Sequence, residues 1–159
     1  METQVMEEVY EKIANRVNEM IPEEWEKVAL YAEVSEYASS VYFYYYPTVK
    51  DTPIYSLDIV DIFEIDEDEF DKMNMELFEY FEELREEFKR NEQEPWTNLT
   101  LMLESDGKFN IEYDYTDLSE ADDYEQQIIW EYLHLGMQPS PDRKRDVQII
   151  QDYLKKQTK

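Results

Sequence analysis

Residues 97–115 read TNLTLMLESDGKFNIEYDY, and this stretch decides the fold. Residues 97–103 alternate apolar and polar side chains, the period-2 pattern of a half-buried strand. Ser105-Asp106-Gly107-Lys108 follows, and Asp-Gly tolerates the positive φ angles that a hairpin turn requires. Phe109, Ile111, Tyr113 and Tyr115 then alternate on a returning strand. A hairpin of this kind makes the sheet antiparallel.

Upstream, Val5, Val9, Ile13 and Val17 recur every four residues, flanked by Met6, Tyr10, Ala14 and Met20. That spacing predicts an amphipathic helix over 3–20, with Thr3 as its N-cap and Pro22 preventing a smooth continuation. The period changes over 25–35, where Val28, Leu30, Ala32 and Val34 form the core face of a strand. Glu36-Tyr37-Ala38-Ser39-Ser40 fits a turn. The aromatic run from Val41 to Tyr46 reads as a second strand, and Pro47 and Pro53 bracket a loop. Tyr55 to Ile65 is expected to form a third strand, with Leu57 and Ile59 alternating imperfectly against Asp58 and Val60. Phe70, Met73, Leu77, Phe81, Leu84 and Phe88 then mark a helix over 66–91. Asp66 to Glu69 sit at its positive dipole end, and Arg85, Lys89 and Arg90 near its negative end. Downstream of the hairpin, helices are expected over 119–135 and 142–157, separated by Gly136, Pro139 and Pro141.

The expected order is α-β-β-β-α-β-β-α-α. It describes an α+β fold in which an antiparallel sheet of about five strands is packed with helices. The 159 residues show no internal repeat and no linker long enough to divide two domains, so a single domain over 1–159 is expected. An aromatic fraction of 15% argues against disorder despite the charge.

That charge is extreme: 40 Asp and Glu against 15 Lys and Arg give a net −25. Such a field repels nucleic acid and anionic lipid and attracts basic proteins, so direct nucleic-acid binding is not expected. Cysteine is absent, which removes disulfides, thiolate catalysis and zinc ribbons. The start, Met1-Glu2-Thr3-Gln4, has neither the basic nor the apolar region of a secretion signal, and no run suggests a membrane span. A cytoplasmic protein that makes no membrane contact is expected. Gly107 and Gly136 are the only glycines, too few for a phosphate loop or a dinucleotide fingerprint. His134 is the only histidine and reads as a packing or surface residue. The run Asp66-Glu67-Asp68-Glu69 lacks the spaced ligands and the glycine of a calcium loop and fits acidic capping of a helix. No catalytic residue, cofactor or metal ligand is expected.

The acids concentrate in two stretches. Residues 51–84 hold thirteen acids and one base, Lys72, and residues 104–125 hold nine acids and one base, Lys108. The candidate partner-binding residues are Asp58, Asp61, Glu64, Asp66 and Asp68 in the first stretch. In the second they are Asp114, Asp117, Glu120, Asp122 and Asp123, interleaved with Tyr113, Tyr115 and Tyr124. Acids beside tyrosines suit an interface, where charge steers and rings supply rigid contact area. The competing reading is an exposed hairpin edge kept soluble by charge.

Three groups of residues bear a resemblance to a known family. They are Ile21-Pro22 with Trp25 and Val28; the helix of Phe81, Leu84 and Phe88 followed by Glu94-Pro95-Trp96-Thr97; and Asp106-Gly107-Lys108-Phe109 leading to Tyr113-Asp114-Tyr115. In this order and spacing the chain resembles the YezG-type immunity proteins, which include the EsaG-like antitoxins. The resemblance implies an inhibitor that binds the C-terminal nuclease domain of a type VII-secreted polymorphic toxin inside the producing cell. The charge adds the expectation of a basic partner, and a non-enzymatic protein that is a monomer or weak homo-oligomer when free is expected. Two alternatives stand beside it: an acidic chaperone-like adaptor for a secreted protein, and a divalent-cation-dependent enzyme.

Overall fold

Thr3 opens the first helix, α1 (Gln4–Met20), by accepting a hydrogen bond from the Met6 amide at 3.1 Å. The computed structural model describes residues 3–35 and 39–157. Met6, Val9, Tyr10, Ile13, Val17 and Met20 form the buried stripe of α1, while Val5 is exposed because Met6 takes the inward position of the first turn.

Four further elements follow before the long helix: β1 (Trp25–Val34), β2 (Ser39–Pro47), β3 (Ile54–Tyr55) and a short helix α2 (Ile59–Phe63), entered through a 3-10 turn at Ser56–Asp58. The expected turn at 36–40 lies partly outside the described residues. Its last two positions, Ser39 and Ser40, belong to β2 and pair with Val34 and Glu33.

The third strand is much shorter than the alternation suggested. Only Ile54 and Tyr55 pair with β2, opposite Tyr45 and Tyr44. At the next residue a side chain replaces the backbone ladder: the Phe43 amide donates to the Ser56 hydroxyl at 3.1 Å, and Ser56 is fully buried. The chain then coils. Ile59 is buried, and Val60 and Phe63 pack against the core at helical rather than strand spacing. Glu64 ends α2 with a left-handed φ of 54°, and the Ile65 amide returns to the Val60 carbonyl.

Helix α3 (Glu67–Arg90) begins at Asp66, whose carboxylate accepts from the Asp68 amide at 3.3 Å. Its buried face, Phe70, Leu77, Phe81, Leu84 and Phe88, lies beside α1 against one face of the sheet. Strands β4 (Asn98–Glu104) and β5 (Phe109–Asp114) form the expected hairpin. The five strands run in the order β3-β2-β1-β4-β5, with every neighbouring pair antiparallel. Val28, Leu30, Ala32 and Val34 of β1, Phe43 and Tyr45 of β2, and Leu99, Leu101 and Leu103 of β4 meet the helices. Burying each large apolar side chain of this kind contributes about 1.5–3 kcal/mol. The opposite positions of β1 are buried too, which alternation alone did not indicate. Ala29, Tyr31 and Glu33 are all inaccessible, with Tyr31 stacked 5.3 Å from Tyr42 and donating its hydroxyl to Glu33 at 2.7 Å.

The chain divides into two compact units, Met1–Asp117 and Leu118–Lys159. The second is a pair of helices, α4 (Asp123–Leu135) and α5 (Lys144–Gln157). Helix α4 starts four residues later than the apolar pattern suggested, because the Asp122 carboxylate accepts from the Glu125 amide at 3.1 Å and sets the first turn there. Gly136, at φ 67°, closes it in the left-handed conformation that other residues adopt at a cost. Among the described residues no helix is long and apolar enough to cross a membrane.

Candidate partner-binding surfaces

The sheet order separates the acidic stretches of the first unit. Residues leading out of β3 leave one edge, and β5 forms the other, four inter-strand steps or about 19 Å away. Helix α3 crosses the face between them, its Phe88 ring reaching Tyr113 of β5 at 4.9 Å.

At the β3 side, Asp58 ends the 3-10 turn, Asp61 lies on α2, Glu64 occupies the left-handed position, Asp66 caps α3 and Asp68 sits in its first turn. All five are exposed. Among the described residues no cation pairs with them. Further along α3 the acids are partly neutralised. Arg16 reaches Glu76 at 2.7 Å and Lys12 approaches Glu83 at 3.8 Å. Among the described residues, the carboxylates around α2 and the start of α3 are thus uncompensated by ion pairs. Two apolar side chains stand among these carboxylates: Leu57 is 49% exposed and Ile62 is 53% exposed. Reading 55–65 as a strand concealed them. The i, i+4 spacing of Ile59 and Phe63, both turned to the core, was the available signal that this segment is helical.

On β5 the sequence-derived candidates have different surroundings. Asp114 is exposed, and its Oδ1 accepts from the Thr116 amide at 2.8 Å and the Thr116 hydroxyl at 2.6 Å, fixing the chain as it leaves the sheet. Tyr113 faces inward: its hydroxyl shares a 2.7 Å hydrogen bond with that of Tyr10, and its ring packs near Phe88 and, at 6.0 Å, Trp96. It is half-buried and belongs to the core cluster. Tyr115, Asp117 and the neighbouring Glu112 are exposed.

The remaining candidates lie in the second unit. Glu120, Asp122 and Asp123 are exposed, and Asp122 also caps α4 and lies 3.8 Å from the Arg145 guanidinium. Tyr124 is exposed and also engaged within its own unit: the Arg145 guanidinium lies 4.6 Å over its ring, and its hydroxyl donates to Asp146. That hydrogen bond, with burial adding to it, raises the Tyr124 pKa above the ordinary tyrosine value. Asp146 is itself buried and paired with Arg143 at 3.1 Å.

At one end of the sheet, an open cleft of about 780 Å³ is lined by Asn18, Pro22, Glu23, Trp25, Thr48 and Ser105, among others. Three of its polar side chains are already engaged. The Trp25 indole donates to Asn18 at 3.0 Å, and Tyr45 donates to Glu23 at 2.6 Å. Burial first, and then that carboxylate, push the Tyr45 pKa well above the usual tyrosine range. Among the described residues no group of three or more His, Asp or Glu side chains is placed to hold a metal ion. His134 sits in the last turn of α4, its ring 5.1 Å from that of Trp130.

Fold and surface together define an acidic α+β protein whose exposed charge is mostly carboxylate, with a few apolar side chains exposed among the acids. The chain belongs to the YezG-like immunity protein family, whose model matches residues 6–149. It is 45% identical over 157 residues to Immunity protein YezG of Bacillus spizizenii, covering 98% of this chain and 96% of that protein. It is 40% identical over 151 residues to Immunity protein YezG of Bacillus subtilis, covering 94% and 99%. It is 32% identical over 153 residues to the Type VII secretion system protein EsaG of Staphylococcus aureus, covering 94% of each.

Proposed function

We propose that this chain is an antitoxin that acts in the cytoplasm of the producing cell. It binds the C-terminal nuclease domain of a type VII-secreted toxin and holds that domain inactive until export. The observation that carries this reading is family membership, together with similarity along nearly the whole chain to a protein named for type VII secretion. A net charge of −25 supports the choice of partner, because a DNA-cleaving domain presents a basic groove. The unpaired carboxylates around Leu57 and Ile62 are suited to that groove: the acids orient the approach, and the apolar side chains resist dissociation. The chain works as one immunity domain by binding rather than by catalysis.

The test is co-expression with the secreted toxin encoded beside the gene. Cells that produce the nuclease domain should survive only when this chain is also made. Death despite stable, folded antitoxin would dismiss the reading.

A further inference from the structure

Among the described residues β5 is the last strand of the sheet, and the hydrogen-bonding positions of its outer edge follow from the hairpin. The turn closes with the Glu104 amide donating to the Lys108 carbonyl at 2.8 Å and the Gly107 amide donating to the Glu104 carbonyl at 2.9 Å, with Gly107 at φ 95°. This is the three-residue hairpin with a left-handed third position, and it makes Glu104 and Lys108 a hydrogen-bonded pair. Antiparallel pairs alternate, so with Met102 opposite Asn110 and Thr100 opposite Glu112, the inward-bonding residues of β5 are Asn110, Glu112 and Asp114. The amides and carbonyls of Phe109, Ile111 and Tyr113 therefore point away from the sheet. Among the described residues no strand lies beyond β5. At the opposite edge, by contrast, β3 is only two residues long before the chain coils into α2.

Open edges invite pairing, and proteins commonly protect them with lysine, proline or very short strands. From Phe109 to Asp114, β5 has none of these protections. Its outward face instead carries Glu112 and Asp114, both exposed. These would lie against their counterparts in a second copy of the edge, which disfavours self-pairing, but they favour a strand bearing cations. On the helix-facing side, Phe109 is 47% exposed with its ring 5.4 Å from Tyr10, and a shallow apolar slot runs from it along Ile13, Ala14 and Ile111.

We propose that β5 receives an extended segment of the toxin partner as a sixth strand of the sheet, so that recognition includes main-chain hydrogen bonds at Phe109 and Ile111. The segment alternates lysine or arginine, set against Glu112 and Asp114, with apolar residues that cover the slot beside Phe109. This rests on the antitoxin reading above.

The experiment uses the full chain, isotope-labelled, and a catalytically inactive nuclease domain from the toxin encoded beside it. Calorimetry first establishes binding. Absence of binding overturns the antitoxin reading and this inference together. In the bound state, amide exchange at residues 109 and 111 should slow at least tenfold, while residues 110, 112 and 114, already bonded to β4, change less. A complex in which these two amides exchange as fast as in the free chain overturns the β5 proposal alone. So does protection of the same amides in the free chain at rising concentration, which marks self-pairing. A variant pair supplies the second measurement. Ile111→Pro removes an outward amide and leaves the inner ladder whole, whereas Ile111→Ala keeps the amide and loses only the side chain. The proline variant should bind at least tenfold more weakly than the alanine variant, and equal affinities overturn the proposal. If the proline variant does not fold, the exchange measurement on the native chain decides.

Discussion

Replacing Tyr113 with phenylalanine tests whether this residue holds the fold together or waits for a partner. The ring stays, between Phe88 at 4.9 Å and Trp96 at 6.0 Å, and only the hydroxyl that bonds Tyr10 at 2.7 Å is lost. A neutral hydrogen bond of this kind contributes a net of about 0.5–1.5 kcal/mol, so Tyr113→Phe should cost about 1 kcal/mol. That corresponds to roughly a fivefold change in the folded-to-unfolded ratio, and to a fall in Tm of about 2–4 °C for a chain of this length. Tyr113→Ala also removes two ring contacts, each adding about 0.5–1.5 kcal/mol beyond the area buried, and should cost about 2–4 kcal/mol in all. Tyr115, exposed two residues on, is the control, and Tyr115→Phe should stay within about 0.5 kcal/mol of the parent. Urea unfolding followed by far-ultraviolet circular dichroism measures all three. A Tyr113→Phe protein as stable as its parent, or a Tyr115→Phe protein destabilised by the same amount, would refute the assignment of Tyr113 to the core.

Further expectations follow from other parts of the fold. Thr3→Ala removes the α1 cap and a 3.2 Å hydrogen bond to Glu87, and should cost about 1 kcal/mol in chemical denaturation. Glu87 accepts from Asn91, Thr3 and Arg90, and these contacts, Asn91 foremost, lower its pKa. Its contribution to stability is therefore complete above the ordinary glutamate range and lost as the pH falls through the lowered native value. Glu87→Gln should remove that part of the acid dependence, so parallel acid titrations of variant and parent would contradict it. Gly107→Ala meets no neighbouring atom but must hold φ at 95°, and should destabilise the hairpin by about 1–2 kcal/mol in thermal unfolding. Asp58→Lys combined with Asp61→Lys should leave Tm nearly unchanged and slow toxin association severalfold at low salt, the difference shrinking as salt is raised in stopped-flow measurements.

Most of the architecture was legible because its signals were local. The Asp-Gly turn set the β4–β5 hairpin, and the stripe from Phe70 to Phe88 set α3. The failure at residues 55–65 has a local cause as well. Leu57, Ile59 and Asp61 can be read as alternation, but Ser56 ends the ladder with its side chain, and Ile59 with Phe63 turns the segment into a helix. The burial of Ala29, Tyr31 and Glu33 is a tertiary fact that no pattern within β1 encodes. The acidic surface was legible as composition but not as geometry. Charge density alone grouped Tyr113 with the exposed acids, whereas the fold half-buries its ring and pairs its hydroxyl with Tyr10; Tyr124 does remain exposed, with its hydroxyl on Asp146. It also left out Leu57 and Ile62, the apolar side chains best placed among unpaired carboxylates.

The most direct measurement is a titration of the toxin's nuclease domain with this chain, following cleavage of a DNA substrate and repeating the association kinetics over a range of salt. Cleavage should fall linearly to nothing at a fixed stoichiometry, and the association rate, near about 10⁸ M⁻¹s⁻¹ at low salt, should drop steeply as salt rises. Cleavage undiminished by an excess of folded protein would contradict the inhibitor reading. Full inhibition with a salt-independent association rate would contradict the role given to its charge.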